Sequence, residues 1–174
     1  MDTKAADETG FKIMGLKAQE LKPENFAPFG TVIAPEDDGA PLEGQMSPLD
    51  LSGGTPRFYA MRLPPRGLIV KQITRHVRTT QALASVGGHT WFIAVAPPSR
   101  LDDPNAEPRV EDIKAFRVPG DRGVMLHKGT WHAGPHFEGG SQSFFNLELM
   151  DTNLVDHHTC KLTERYGQAL QIVA

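Results

Sequence analysis

Turn-forming residues divide this chain into short segments from one end to the other. Glycine occupies 17 and proline 14 of the 174 positions, against a typical combined share of about 12%. Between them lie short runs such as 113–118 (IKAFRV), which alternates, and 89–96 (HTWFIAVA), which is mostly apolar. Alternation suits a half-buried strand, and a continuous apolar run suits a strand buried on both faces. The pattern predicts an all-β protein with roughly seven or more strands.

Strands of this number and spacing predict a β-barrel or a double-sheet jelly roll over about residues 57–150. The competing interpretation is an open α+β sheet, while helical content is too thin for a βαβ fold. We expect residues 1–14 to form a mobile tail and residues 15–174 to form one domain. The loop at 35–56 is predicted to act as a lid or as a contact with a second subunit.

Composition excludes several function classes. The net charge is −3 and the pI is near 6.1, and no basic run indicates a nucleic-acid surface. The one cysteine, Cys160, cannot form an intrachain disulfide, which favours a reduced, cytoplasmic setting. The first residues do not read as a signal peptide, and no apolar run approaches about 18 residues, so we expect no membrane association.

Two segments carry histidines in patterns that suit a site. Residues 123–137 (GVMLHKGTWHAGPHF) hold three of the seven histidines. Gly129 suits a tight turn, and His132 and His136 have the spacing of one strand face. In the earlier segment, a strand would place His76 with Arg78 and Thr80 on one face. For His76, Arg78 and Thr80, periodicity alone favours side chains that face solvent, whereas residues 123–137 suit a site and an ordinary surface equally.

The spacing of these segments resembles the two motifs of the cupin family, in which histidines and a glutamate hold a metal. The first cupin motif, a His-x-His pair followed by Glu and Gly, corresponds to His76-Val77-Arg78, Gln81 and Gly88. The second, Pro-x-Gly-x-x-His followed by Asn, corresponds to residues 127–132 and His136. Arginine cannot bind a metal and an amide binds it poorly, so two imidazoles remain where a stable site usually needs three or more ligands.

A narrower resemblance is to the ureidoglycolate lyase family, a cupin branch. The family pattern Arg-His, Thr-Gln-Ala and Gly matches residues 75–88, and its Gly-Val, His-basic and Trp-His pattern matches residues 123–132. The opening pattern matches residues 25–33 (NFAPFGTVI). The chain departs from the family's His-His-Pro at residues 132–136, where it reads His-Ala-Gly-Pro-His. The likeness covers about residues 16–162 and implies a cupin-like double-stranded β-helix, or jelly-roll barrel, with minor helical elements.

The resemblance also implies a carbon–nitrogen lyase that splits ureidoglycolate into glyoxylate and urea in purine (allantoin) degradation. A base must take the hydroxyl proton, an acid must protonate the departing nitrogen, and a cation must hold the carboxylate. We assign proton transfer to His76 and His132 with His127 beside them. The residues expected to bind substrate are Arg75, Arg78, Gln81, Lys128 and His136, with Gln81 orienting the ureido group.

Lyase chemistry needs no redox cofactor. We expect no tightly bound cofactor or metal, with weak divalent metal binding at His76 and His132 left open. The expected partners are a small ureido or hydroxy acid and a second copy in a homodimer, by analogy with cupins. The alternatives are another cupin enzyme, either an isomerase or a metal-dependent oxygenase, and a non-catalytic protein that binds a small carboxylate.

Overall fold

A computed structural model describes residues 10–39 and 48–174 of this chain. Within these ranges the protein has thirteen strands, three short α-helices and one 3-10 helix. The strands are β1 (Lys12–Glu20), β2 (Gly30–Ile33), β3 (Pro56–Leu63), β4 (Ile69–Val70), β5 (Gln72–Arg75), β6 (Gln81–Ser85), β7 (Trp91–Ala96), β8 (Lys114–Val118), β9 (Gly123–Leu126), β10 (Trp131–His136), β11 (Gln142–Leu149), β12 (His158–Lys161) and β13 (Gln168–Val173). The helices are α1 (Pro23–Phe26), the 3-10 turn Val110–Asp112, α2 (Thr152–Val155) and α3 (Leu162–Tyr166).

The strands form two sheets. The larger has eight strands in the order β12-β5-β10-β7-β8-β1-β13-β4, and the smaller has five in the order β2-β9-β6-β11-β3. Strands that are consecutive in the chain, such as β5 and β6, fall into different sheets, which is the jelly-roll way of closing two sheets over one core. The predicted all-β, cupin-like jelly-roll barrel with minor helical elements is confirmed.

The core lies between the sheets. Phe116 and Trp91 from the large sheet meet Leu83, Val124 and Phe144 from the small one in one buried cluster. A second cluster packs on the opposite face of the large sheet, where Leu162 of α3 covers it. Because β7 has a cluster on each face, all six of its residues are buried, and its sequence is apolar without alternation.

Several boundaries differ from the sequence predictions. Strand β1 begins at Lys12, inside the segment 1–14 predicted as a tail, because its backbone pairs in parallel with β13. Residues 1–9 lie outside the described residues, as do residues 40–47 of the predicted loop 35–56. The strand expected at 68–77 is two short strands, and its second half ends at Arg75. His76 therefore lies in the turn that follows, so the expected shared face with Arg78 and Thr80 does not form.

Within the described ranges, none of the helices is both long and apolar enough to cross a membrane.

The contact between β2 and β9 gives a stability prediction. A Cβ added to Gly30 would lie 1.8 Å from the carbonyl oxygen of Met125, which is backbone and cannot rotate away. We expect Gly30→Ala to lower the free energy of unfolding by about 1–3 kcal/mol, the usual cost of overpacking. Urea unfolding monitored by tryptophan fluorescence measures it. Gly140→Ala is the control, since no atom lies within 4 Å of its added Cβ; equal stability of the two variants would contradict the prediction.

Candidate active site

A cavity of about 580 Å³ opens between the two sheets, a volume typical of small-molecule sites. One wall comes from the large sheet and carries Thr74, His76, His132 and His136. The other wall comes from the small sheet. Its polar residues are Tyr59, Gln81, Asn146 and Glu148. Most of these side chains are buried, so polar groups from both sheets face a cavity whose remaining lining is largely apolar.

The two histidine segments meet through backbone contacts. His132 in β10 lies opposite Thr74 in β5. The amide of Gly129 donates a hydrogen bond to the carbonyl of His76 over 2.6 Å. Gly129 has a φ of +78°, the left-handed conformation that glycine adopts at little cost. These contacts place the ring centroids of His76 and His132 5.1 Å apart.

Three cavity histidines share one hydrogen-bonding pattern. The Nδ1 of His76 contacts the carbonyl of Asp156, that of His132 contacts the carbonyl of Thr130 at 3.2 Å, and that of His136 contacts the carbonyl of Gly67 at 3.0 Å. A carbonyl can only accept, so in the neutral ring Nδ1 carries the proton and Nε2 keeps its lone pair. Each ring therefore offers an Nε2 base.

Burial keeps these imidazoles neutral. It lowers the pKa of His132 to about 3, with the neighbouring His76 adding to the effect. Burial also lowers the pKa of His76, although the contact with the Asp156 carbonyl opposes that shift. The pKa of His136 is lowered for the same reason, burial. At neutral pH the imidazoles of these three histidines are therefore uncharged.

The opposite wall is built by the inward face of β11 and its neighbours. Asn146 and Glu148 alternate with Phe145 and Leu147 along the strand, and only the polar pair points inward. Gln81 begins β6 and donates to both of them, at 3.0 Å to Asn146 Oδ1 and 3.2 Å to Glu148 Oε2. The predicted residue Gln81 therefore faces the histidines across the cavity.

Three predicted cations do not line the cavity, and their contact with substrate stays a prediction. Arg75 is fully buried elsewhere, where it donates to the carbonyls of Ser99 and Asp103 and stacks over Trp131. Arg78 turns outward, at 3.3 Å from the Asp151 carboxylate. Lys128 forms an ion pair with Asp50.

His127 is also outside the cavity lining, half-buried, with its amide bound to the carbonyl of Phe29. Of the eight predicted site residues, the structure brings together His76, His132, His136 and Gln81.

Sequence reasoning missed the cavity's cations. Arg66 and Lys71 line its exposed mouth, and they are the only arginine and lysine to do so in the described parts of the chain. Arg66 donates to the carbonyl of Pro135 at 3.3 Å. His157 lies there too, with its ring centroid 5.5 Å from that of His76. No spacing rule identifies these residues, since they come from turns that the fold brings to one opening.

The other missed residues have no readable signal in the sequence. Within 143–150 (SFFNLELM), Phe145 and Leu147 alternate with Asn146 and Glu148, and this alternation predicts that the polar pair faces solvent. The structure places the polar pair on the same face as the core residue Phe144 and exposes Phe145 instead. Polar side chains on the buried face of a strand are costly unless they are paired or bind something.

The donor set does not fit a resident metal ion. Over residues 10–39 and 48–174, no three His, Cys, Asp or Glu side chains are grouped to hold one, whereas stable sites usually need three or four ligands. Arg78, at the position of a cupin ligand, points away from the cavity. The expectation of no tightly bound metal stays a prediction.

Comparison with known proteins identifies the family. The family model described as ureidoglycolate lyase matches residues 13–164. This chain belongs to the ureidoglycolate lyase family. The resemblance found in the sequence is thereby confirmed. Relatives named ureidoglycolate lyase include those of Azotobacter vinelandii, 28% identical over 67% of this chain and 74% of that protein, and Burkholderia cepacia, 30% identical over 67% and 70%. That of Pseudomonas fluorescens is 28% identical over 86% of this chain and 94% of the relative.

Among solved structures, the chain is similar to RmlC from Streptococcus suis in complex with dTDP-D-xylose. The TM-score is 0.36 at 10% identity, over 73% of this chain and 53% of that one. The likeness thus spans about half of the RmlC chain.

The buried histidines predict a stability that depends on pH. Their pKa values are lowered in the folded state, so the unfolded chain binds more protons below about pH 6.5. The contribution of these histidines to the free energy of unfolding is therefore fully present above about pH 6.5, and it is lost as the pH falls towards their pKa values in the folded state. His132 has a pKa of about 3 in the folded state. We therefore expect this residue alone to lower the free energy of unfolding by about 2 kcal/mol between pH 7.5 and pH 5.

Urea unfolding at the two pH values measures the effect. His132→Gln should lose about 2 kcal/mol less than the unmodified protein over this interval. His89→Gln, at an exposed turn, should keep the original pH dependence. An unchanged pH dependence in the His132 variant would mean that this imidazole titrates normally in the folded state.

Proposed function

We propose that this protein is a carbon–nitrogen lyase that cleaves ureidoglycolate into glyoxylate and urea. The observation that carries the proposal is the pair of buried imidazoles of His76 and His132, which lie 5.1 Å apart and line the cavity between the two sheets. Membership of the ureidoglycolate lyase family supports the same substrate. Proton transfer by histidine near neutral pH is what this reaction requires.

The chemistry balances without any group beyond the chain and its substrate. An Nε2 of the pair takes the hydroxyl proton, and the oxygen electrons form the aldehyde carbonyl of glyoxylate. The carbon–nitrogen bond breaks with its electron pair going to the ureido nitrogen. The histidine pair returns the proton to that nitrogen, and the ureido group leaves as urea. Because both imidazoles begin neutral, the cycle ends in the protonation state in which it started.

The negatively charged carboxylate of the substrate is placed at the cavity mouth, where the cations lie. Arg66 and Lys71 are exposed there, and arginine binds carboxylates through paired hydrogen bonds. Binding at the mouth points the rest of a small acid towards the histidines. Arg66 thus takes the role that sequence spacing had given to Arg75, Arg78 or Lys128.

The compartment, the oligomeric state and the pathway are inferred from composition and family. We infer a cytoplasmic homodimer acting in purine degradation, from the single cysteine, the family and the habit of cupins to pair. Light scattering of the purified protein measures its oligomeric state, and a monomer would contradict this inference.

Loss of either proton-transfer histidine should suppress turnover. We expect His76→Gln and His132→Gln to lower kcat for glyoxylate release from racemic ureidoglycolate by about 10²–10⁴, the usual contribution of a positioned acid or base. A coupled glyoxylate assay measures it, with and without chelator. His89→Gln, on an exposed turn, is the matched control. Full turnover by His132→Gln would remove that residue from the mechanism.

Neutralising the cation at the mouth should weaken substrate binding. We expect Arg66→Gln to raise KM about tenfold or more, the value of a charge-assisted hydrogen bond, with a smaller effect on kcat. Arg62→Gln, on the exposed face of β3, controls for loss of a positive charge. If Arg66→Gln leaves KM unchanged and Lys71→Gln raises it, Lys71 and not Arg66 binds the substrate carboxylate.

A further inference from the structure

The small-sheet wall of the cavity contains a closed hydrogen-bond network around a buried carboxylate. Glu148 is 1% exposed and Asn146 is 3% exposed. The hydroxyl of Tyr59 donates to Glu148 Oε1 at 3.2 Å, and Gln81 Nε2 donates to Glu148 Oε2 at 3.2 Å. Asn146 Nδ2 donates to the Tyr59 oxygen at 3.2 Å. Four side chains from three strands thus support one another.

The donors in this network are already used. Both amide hydrogens of Gln81 go to acceptors, Asn146 Oδ1 and Glu148 Oε2. Asn146 Oδ1 can only accept, and Asn146 Nδ2 is used on Tyr59, so the Gln81 amide cannot be turned the other way. Burial raises the pKa of Tyr59, so its phenol keeps the proton that it donates to Glu148. What remains on this wall is acceptor capacity.

Two acceptors lack partners that a buried group requires. Gln81 Oε1 is fully enclosed and has no hydrogen-bond partner in the described part of the chain. Glu148 has no salt-bridge partner there, and it receives two neutral donors, whereas a carboxylate has about four lone-pair sites. Unpaired buried acceptors are costly. They indicate a ligand that brings N–H groups to this wall.

We propose that Glu148, held by Tyr59 and Gln81, is the residue that selects a terminal ureido NH₂ group. This inference rests on the proposed function, because it specifies which end of ureidoglycolate lies at which wall. A ureido group carries three N–H hydrogens in one plane. Glu148, which lines the cavity, accepts from the terminal NH₂.

This placement orients the whole substrate. The carboxylate lies with Arg66 at the mouth, the ureido group lies against Glu148, and the carbon that carries the hydroxyl lies between the walls, facing the Nε2 atoms of His76 and His132. The departing nitrogen is then on the Glu148 side when the carbon–nitrogen bond breaks. Glu148 acts in recognition and takes no proton in the reaction.

Two unreactive ligands isolate the proposed contact. N-carbamoylglycine has the carboxylate and the ureido group but lacks the hydroxyl, and N-acetylglycine replaces its terminal NH₂ with a methyl group. We expect the unmodified protein to bind N-carbamoylglycine at least about tenfold more tightly, because the methyl group leaves buried acceptors unpaired. Isothermal titration calorimetry measures both dissociation constants.

Glu148→Gln should reduce the preference to less than about threefold by weakening N-carbamoylglycine alone, since Gln has one acceptor oxygen where the network supplies two donors. Glu164→Gln, an exposed residue of α3, should keep the original preference. If Glu148→Gln does not fold by circular dichroism, Tyr59→Phe replaces it and should also reduce the preference. An unchanged preference, or equal weakening of both ligands, would overturn the inference.

Glyoxylate release by the unmodified protein separates this inference from the proposed function. A protein that distinguishes the two ligands but releases no glyoxylate from ureidoglycolate refutes the proposed function and leaves ureido selection standing. A protein that releases glyoxylate but binds both ligands equally refutes the selection by Glu148 alone.

Discussion

The site depends on the backbone contact between β10 and β5. His132 lies opposite Thr74, and just before β10 the amide of Gly129 reaches the carbonyl of His76. These contacts leave little freedom for the two imidazoles, because each ring is also fixed at Nδ1 by a backbone carbonyl. A pair of bases is thereby positioned by main-chain geometry, which changes less than side-chain packing when neighbouring residues vary.

The two walls of the cavity are chemically unequal. The large-sheet wall offers imidazole nitrogens, and the small-sheet wall offers the carboxylate of Glu148. Both walls offer acceptors, and the arginine and lysine that line the cavity among the described residues lie at its exposed mouth. A ligand that satisfies all three regions needs a carboxylate at one end, N–H groups at the other and a hydroxyl between them. Ureidoglycolate has this arrangement, in agreement with the family to which the chain belongs.

Some of the site could be predicted because it follows local spacing. His76, Gln81 and His132 occupy positions set by short motifs. The charges could not be predicted in this way. Arg75 and Arg78 are adjacent to the site in sequence, but β5 ends at Arg75, and the chain then turns. As a result, one arginine is buried among carbonyls outside the cavity and the other faces solvent.

The sequence by itself determined the all-β class, the strongly buried β7 and the segments that carry the histidines, because hydrophobic periodicity and turn residues act over a few neighbouring positions. Only the tertiary structure decided which polar groups share a cavity. Arg66, Lys71 and His157 come from different turns, and their approach to one opening depends on how the two sheets close. Glu148 likewise meets the histidines only because β11 and β10 belong to different sheets whose inner faces lie opposite each other.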